Sequence, residues 1–426
     1  MFIGISLSNF QKQKYYEIEK TPSFLLIGID GVFNYGGEGI IRGTIRLLKE
    51  RWPNCSITYA SRQPEADTIR LSDIESLNII QSTQRWTIKR IILGLARRLG
   101  LGEGSPLPLK NSLIKSYDAI LSIGGDNYGF MDINDKLHHN TLSLVRLGEC
   151  ALRKRKNFVI WGASIGPFDS APFIRDYFSR HFQKVTLITA RESVTLDYLR
   201  SLGCVNNVVQ VADPAFLMAP STDIKPIPKS ADEVLLGVNF SPASIGHVFG
   251  NDNHEIAKRK LLLVESIHKL LGNRNLRIVF IPHVVPLNEE INNDYVFLSE
   301  LYSMLGDQQA RITLLPCDLG GPRTKAILAQ CDAVIGSRMH CCIAALSSGV
   351  PTIFIQYSTK ALGMARYIYG NDDWCLHIKD LTPSLLYQKV EYLLKKRNEL
   401  ASQLQESKKK WEDDARKAVE ALGAIF

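Results

Sequence analysis

The chain has 426 residues, 45% hydrophobic and 22% charged, with 30 glycines and 18 prolines. This excludes disordered, collagen-like and disulfide-stapled classes, and the length asks for two or three domains rather than one core. The formal net charge of +8 points to an anionic partner, which is a phosphorylated small molecule, an acidic membrane face or nucleic acid; charge alone does not choose.

The opening segment MFIGISLSNFQKQKYYEIEK lacks the charged start, apolar middle and small-residue cleavage site of a secretory signal. No apolar stretch reaches the roughly 18 to 20 residues needed to span a bilayer. A cytoplasmic protein is expected, with any membrane contact peripheral. The first predicted strand is FLLIGID (24–30). Next, RWTIKRIILGLARRLG (85–100) sets Ile88, Ile91, Ile92, Leu95 and Leu99 on one helical face and arginines and lysines on the others. That helix either packs on its own domain with a solvated basic face or lies on an anionic membrane surface. Four more strands are read at 117–125, 158–164, 185–191 and 208–213, completing a first parallel sheet of five.

The proline-rich stretch 219–233 reads as a linker and hinge. Strands at 234–240, 277–283, 312–316, 332–337 and 352–357 then make a second sheet, and a Leu/Lys/Glu-rich tail after residue 382 reads as one or two closing helices. The expected fold class is α/β, with an N-terminal Rossmann-like domain over 1–222, a C-terminal one over 233–381 and a helical tail over 382–426. Two such domains joined by one hinge make a cleft at the carboxyl ends of both sets of strands, where open α/β sheets bind ligands.

The strand ends therefore hold the candidate residues. In DAVIGSRMHCCIAALSSGVP, Ser337 is read as a helix N-cap with Arg338 and His340 in the first turn. Gly336, Ser337 and Arg338 would form an anion site at the helix N-terminus, and a histidine there can exchange a proton near neutral pH. The competing reading is an ordinary capped helix. Lys360 follows the next strand and is expected to point into the same cleft or into solvent. Arg191 ends a strand of the first half, either facing the anion from the opposite wall or pairing with Glu192 or Asp213 to fix the turn.

His283 and His247 follow strands of the second half and are candidates for acid, base or sugar contact, or for structure. Glycine loops at NYGGEG (34–39), IGGDNYG (123–129) and WGASIGPF (161–168) allow close backbone approach to a ligand. None carries a Walker or dinucleotide fingerprint. The eight cysteines form no Cys-x-x-Cys pair, no histidines stand at zinc spacing, and no nucleic-acid module is present. Reduced thiols, no metal and no nucleic-acid partner are expected.

With these motifs assembled, the chain resembles the polysaccharide pyruvyl transferase family, from NYGGEG through SIGG, ASIGP, TARES and DPAFLM to IGSRMHCCIAALSSGVPTIFIQYSTKALG. The resemblance implies a glycosyltransferase-B-like fold and transfer of a pyruvyl group from phosphoenolpyruvate to a sugar of a cell-surface polysaccharide or its lipid-linked precursor, forming a ketal. It implies catalytic roles for His340, Arg191 and Lys360, with no cofactor beyond phosphoenolpyruvate as co-substrate. Two loops depart from the family pattern. Gly36-Gly37-Glu38 stands where Gly-Asp is frequent, and Asp126 where a third glycine is common. Asn34, Glu38, Asp126 and Asn127 are accordingly the expected acceptor contacts, beside His283 and His247. The alternatives are a nucleotide-sugar glycosyltransferase of the same fold and a catalytically silent glycan-binding or scaffold relative.

Overall fold

The computed structural model describes residues 21–82, 112–130, 137–138, 140–250, 252–273, 275–287 and 292–426. The amphipathic segment 85–100 lies outside the described residues. The first sheet comprises β1 (Ser23–Ile27), β2 (Ser56–Ser61), β3 (Leu77–Gln81), β4 (Ala119–Ile123), β5 (Asn157–Ala163), β6 (Leu187–Ala190) and β7 (Val208–Gln210). All pair in parallel, in the order β3-β2-β1-β4-β5-β6-β7. The second contains β8 (Val234–Asn239), β9 (Leu276–Phe280), β10 (Ile312–Leu314), β11 (Ala333–Gly336), β12 (Thr352–Gln356) and β13 (Cys375–His377), parallel in the order β10-β9-β8-β11-β12-β13.

All ten expected strands are present, and β2, β3 and β13 are additions. Strand β2 reads SITYAS, whose serines and threonine hide its burial in the sequence; Ile57 and Tyr59 are fully enclosed only because β1 and β3 flank them. Strand β3 is an edge strand of half-exposed residues, and β13 is an edge strand of three residues. Edge strands bury too little apolar surface to show a continuous run.

The order reverses between β1 and β4 in one sheet and between β8 and β11 in the other. Loops leaving these adjacent strands part in opposite directions, which opens a crevice at each sheet's carboxyl edge. The two crevices face each other. The segment between the turn Pro214–Leu217 and β8 holds no helix or strand, as expected of a linker. It is nevertheless clamped to the second domain: the Ile227 N–H donates to Gln330 Oε1 at 2.7 Å, the Ser221 N–H to the Pro322 carbonyl at 2.9 Å, and Asp223 pairs with Arg323.

The tail is one helix, Pro383–Gly423, capped by the Thr382 side chain at the Leu385 N–H. Its first half buries Leu386, Val390 and Leu393 against the second sheet's core. Its second half crosses to the first domain, burying Trp411, Ala415, Val419 and Leu422 among Ile45, Leu48 and Phe216. The Trp411 and Phe216 rings lie 5.1 Å apart, and Arg416 reaches Glu50 at 3.2 Å. The helix is thus a strap across both domains.

Trp411→Ala should lower unfolding stability by about 3–5 kcal/mol, the usual cost of emptying a buried tryptophan site. Urea titration of both proteins checks this, and a shift under about 1 kcal/mol would show the strap to be dispensable. A second outcome concerns His181, buried against Phe158 with neither ring nitrogen hydrogen-bonded. Desolvation, helped by Lys184, pushes its pKa down from 6.5 to about 4. The unfolded chain therefore binds the proton first as pH falls, so stability drops from about pH 6.5 downward and levels off below about pH 4, a loss of about 3 kcal/mol. His181→Phe should flatten that slope in unfolding midpoints measured across the window.

Candidate active site

The two crevices enclose a cleft of about 940 Å³. Its far wall is built from three helices, Pro242–Phe249, Met339–Leu346 and Thr359–Tyr369, which follow β8, β11 and β12. Pro242 and Ala243, Met339 and His340, and Ser358 and Lys360 from their N-terminal ends line the cleft. First-turn N–H groups have no partner within a helix, so three positive dipole ends converge on one space. The near wall is formed by the loops after β1 and β4, with Gly28, Asn34, Gly125 and Asp126, and by Arg191 after β6.

Arg191 follows the last residue of β6, and Glu192 caps the next helix by accepting from the Thr195 N–H. This corner drives the guanidinium inward until it is 1% exposed. A buried guanidinium is costly unless its donors are answered. Its Nε donates to Ser164 Oγ at 2.8 Å, Nη1 to Asp213 Oδ2 at 2.8 Å and Nη2 to Asp126 Oδ1 at 2.9 Å. Gly125 packs against the guanidinium, leaving no room for a Cβ.

His340 stands across the domain seam. Its Nε2 lies 3.4 Å from Asp213 Oδ2 and 3.4 Å from Arg191 Nη1. Asp213 is fully buried and also accepts from the Ala215 N–H at 2.9 Å. Desolvation pushes its carboxyl up, but His340 and Arg191 outweigh it and hold the pKa at about 2. Lys360 reaches Asp126 Oδ1 at 2.8 Å. The three expected catalytic residues, from both domains, thus form one cluster with two carboxylates. Of these, Asp213 was foreseen only as a possible turn-fixing partner of Arg191. The signal available was an acid ending a strand run, VVQVAD, immediately before a proline.

The anion site at β11 differs from expectation. Arg338, not Ser337, is the N-cap, with φ −85° and ψ 122° and no side-chain cap bond. Arg338 is not among the residues lining the cleft; its Nη2 donates to Asp294 Oδ1 at 2.9 Å and to Asn292 Oδ1 at 2.7 Å. Asn239 accepts the Arg338 N–H and donates to Asp294. This buried lattice fixes where the helix begins. Gly336 and Ser337 do line the cleft, and the buried Ser337 Oγ has no hydrogen-bond partner.

Four expected sugar contacts are otherwise engaged. Glu38 is buried at the seam, accepting from the Gly321 N–H at 2.7 Å and pairing with Arg42 at 2.9 Å. Asn127 spends its amide donors on the Gly28 and Ile123 carbonyls. Asn34 lines the cleft, but its side chain caps the helix Tyr35–Arg51 by accepting from the Gly36 N–H. His283 is buried against Tyr35, with Nδ1 unpartnered; desolvation, then His340 and Arg338, push its pKa well down, and its carbonyl takes the Tyr35 N–H. Each serves polar backbone, Glu38 and His283 at the domain seam and Asn127 and Asn34 within the first domain, a need no local sequence pattern displays. His247 does line the cleft, edge-on to Tyr357 with ring centroids 5.4 Å apart.

No disulfide joins the described cysteines, and six of the eight are buried. Among the described residues no group of three or more His, Cys, Asp or Glu side chains could hold a metal ion, and no helix is long and apolar enough to cross a membrane.

The profile of the polysaccharide pyruvyl transferase family matches residues 34–359, and the chain belongs to that family, a group of transferases of polysaccharide biosynthesis. It is 22% identical over 410 residues to the amylovoran biosynthesis protein AmsJ of Erwinia amylovora, covering 89% of this chain and 94% of that one. Among solved structures it is similar to HepE of Anabaena in complex with UDP and glucose, with TM-score 0.57, 11% identity and coverage of 95% and 99% of the two chains. It is also similar to the UDP-GlcNAc 2-epimerase of Neisseria meningitidis bound to UDP-GlcNAc, with TM-score 0.55, 10% identity and coverage of 90% and 93%. These likenesses establish the expected glycosyltransferase-B-like fold.

Gly36 touches the His340 ring so closely that a Cβ there would lie 2.5 Å from Nδ1 and 2.6 Å from Cγ. Gly36→Ala should therefore push the imidazole off Asp213 while the protein stays folded. NMR resonances of the His340 ring should move clearly in the variant and those of distant His181 should not; an unmoved His340 would contradict the packing described.

Proposed function

We propose that this member of the polysaccharide pyruvyl transferase family transfers a pyruvyl group from phosphoenolpyruvate to two hydroxyls of one sugar in a polysaccharide or its lipid-linked precursor. A cyclic ketal forms and phosphate leaves. The observation that supports this most is the convergence of Arg191, Lys360, His340 and three helix N-termini from two domains on one cleft. Phosphoenolpyruvate carries a carboxylate and a phosphate on one carbon, and such a site offers cations to one and helix N-termini to the other.

His340 supplies the proton traffic. A proton added to the donor's methylene carbon makes the neighbouring carbon electrophilic, and the first sugar hydroxyl bonds to it. The second hydroxyl then displaces phosphate and closes the ring. The two hydroxyl protons account for the one gained by carbon and the one carried off by phosphate or solvent. Asp213, fixed by Arg191 and the Ala215 N–H, orients the imidazole and faces its charge when protonated. Arg191 and Lys360 hold the donor's carboxylate, while the helix N-termini with the unpartnered Ser337 Oγ receive the phosphate and stabilise its departure. Arg338 has no direct part. In this reading phosphoenolpyruvate is the co-substrate and no further cofactor takes part.

Phosphate release from phosphoenolpyruvate, measured over a panel of terminal hexoses and lipid-linked sugars, tests this. Release should depend on the acceptor and fall by about 10²–10⁴ in His340→Ala, the usual contribution of a positioned acid or base. Acceptor-dependent release that survives the substitution would remove His340 from the chemistry. Thermal stabilisation by a nucleotide sugar but not by phosphoenolpyruvate would move the assignment to glycosyl transfer.

A further inference from the structure

In this structure the cluster that would receive the donor already holds a carboxylate. A single oxygen, Asp126 Oδ1, takes both the Lys360 ammonium at 2.8 Å and Arg191 Nη2 at 2.9 Å. The two cations come from different domains and meet at that atom. With Arg191 and Lys360 balanced by Asp126 and Asp213, the cluster offers an incoming anion no net positive charge from these four groups.

The two carboxylates are not equally held. Asp213 is 0% exposed, and besides Arg191 and His340 it engages the Ala215 N–H, so it stays with the fold. The Asp126 side chain is 57% exposed, and among the described residues it accepts hydrogen bonds from Arg191 and Lys360. It also follows Gly124 and Gly125, the first of which sits at φ 117°. A glycine pair allows the backbone rotations that would turn an exposed side chain into solvent. The Asp126 carboxylate faces solvent while Arg191 does not, so an anion that contacts both cations can take its place without leaving the buried guanidinium unanswered.

We propose that Asp126 is a resident stand-in for the donor's carboxylate: it occupies the Lys360–Arg191 position in the cleft, and an incoming carboxylate or phosphate displaces it. The proposal rests on the reading of the cleft as an anionic-donor site. Asp126 then acts as a specificity-determining residue. A neutral saccharide cannot displace it, because the two cations would lose their counter-charge, whereas an anion that contacts both restores it. The resident carboxylate also keeps the buried Arg191 answered and the two walls in register between turnovers.

The experiment is calorimetric titration of phosphoenolpyruvate, and separately of inorganic phosphate, into the wild-type protein, Asp126→Asn and Asp126→Glu. Asp126→Asn keeps the shape and removes the competing charge, so both anions should bind about tenfold more tightly. Asp126→Glu, which keeps the charge, should not tighten binding. Asp126→Ser serves the same purpose as the asparagine variant if the latter does not fold. Unchanged or weaker phosphoenolpyruvate binding in Asp126→Asn would overturn the stand-in role while leaving the donor intact. Tighter phosphate binding with no phosphoenolpyruvate binding by any variant would keep the stand-in role and overturn the donor. Absence of binding by either anion to every variant would overturn both.

Discussion

A guanidinium withdrawn from water must be answered at its donors, and much of the cleft is arranged around that requirement at Arg191. Ser164, Asp213 and Asp126 each take one of its nitrogens. Asp213 in turn reaches His340 and Asp126 reaches Lys360, both on the other domain. One burial cost incurred at the end of β6 therefore fixes acid, base and cations on opposite walls. Removing the fully buried Asp213 from such a group would leave a charge without compensation.

The cluster is useful only if the walls keep their distance. Two features hold them: the Pro383–Gly423 helix, whose apolar stripe belongs first to one core and then to the other, and a polar seam in which Tyr35, Glu38 and Val285 bond across the domains. Several residues that look chemical in the sequence belong to this seam. Glu38 and His283 serve polar backbone there, and Arg338 with Asp294 and Asn239 sets where one helix starts. They shape the site without entering it.

Much of the architecture was legible in the chain. Parallel strands buried on both faces must be continuous Val/Ile/Leu runs, so ten strands and their division into two sheets could be read directly, and glycine loops marked the strand ends that border the cleft. Arg191, Lys360 and His340 were readable as candidates because each stands at such an end, while solvent for Lys360 and a turn-fixing pair for Arg191 stayed open until the structure placed them in one cluster. Strands β2, β3 and β13 were not readable, because a polar or edge strand gains its burial from neighbours distant in sequence.

The sequence by itself determined the fold class from local periodicity, the family from the resemblance its motifs carry, and which cationic and imidazole side chains stand at the strand ends. Only the tertiary structure decided which acid serves which cation. Asp213 and Asp126 lie 22 and 65 positions from Arg191, and Asp126 lies 234 from Lys360; nothing local selects those pairings. They are selected by the cost of burying unpaired charge, and that cost exists only once two sheets and a strapping helix have excluded the water.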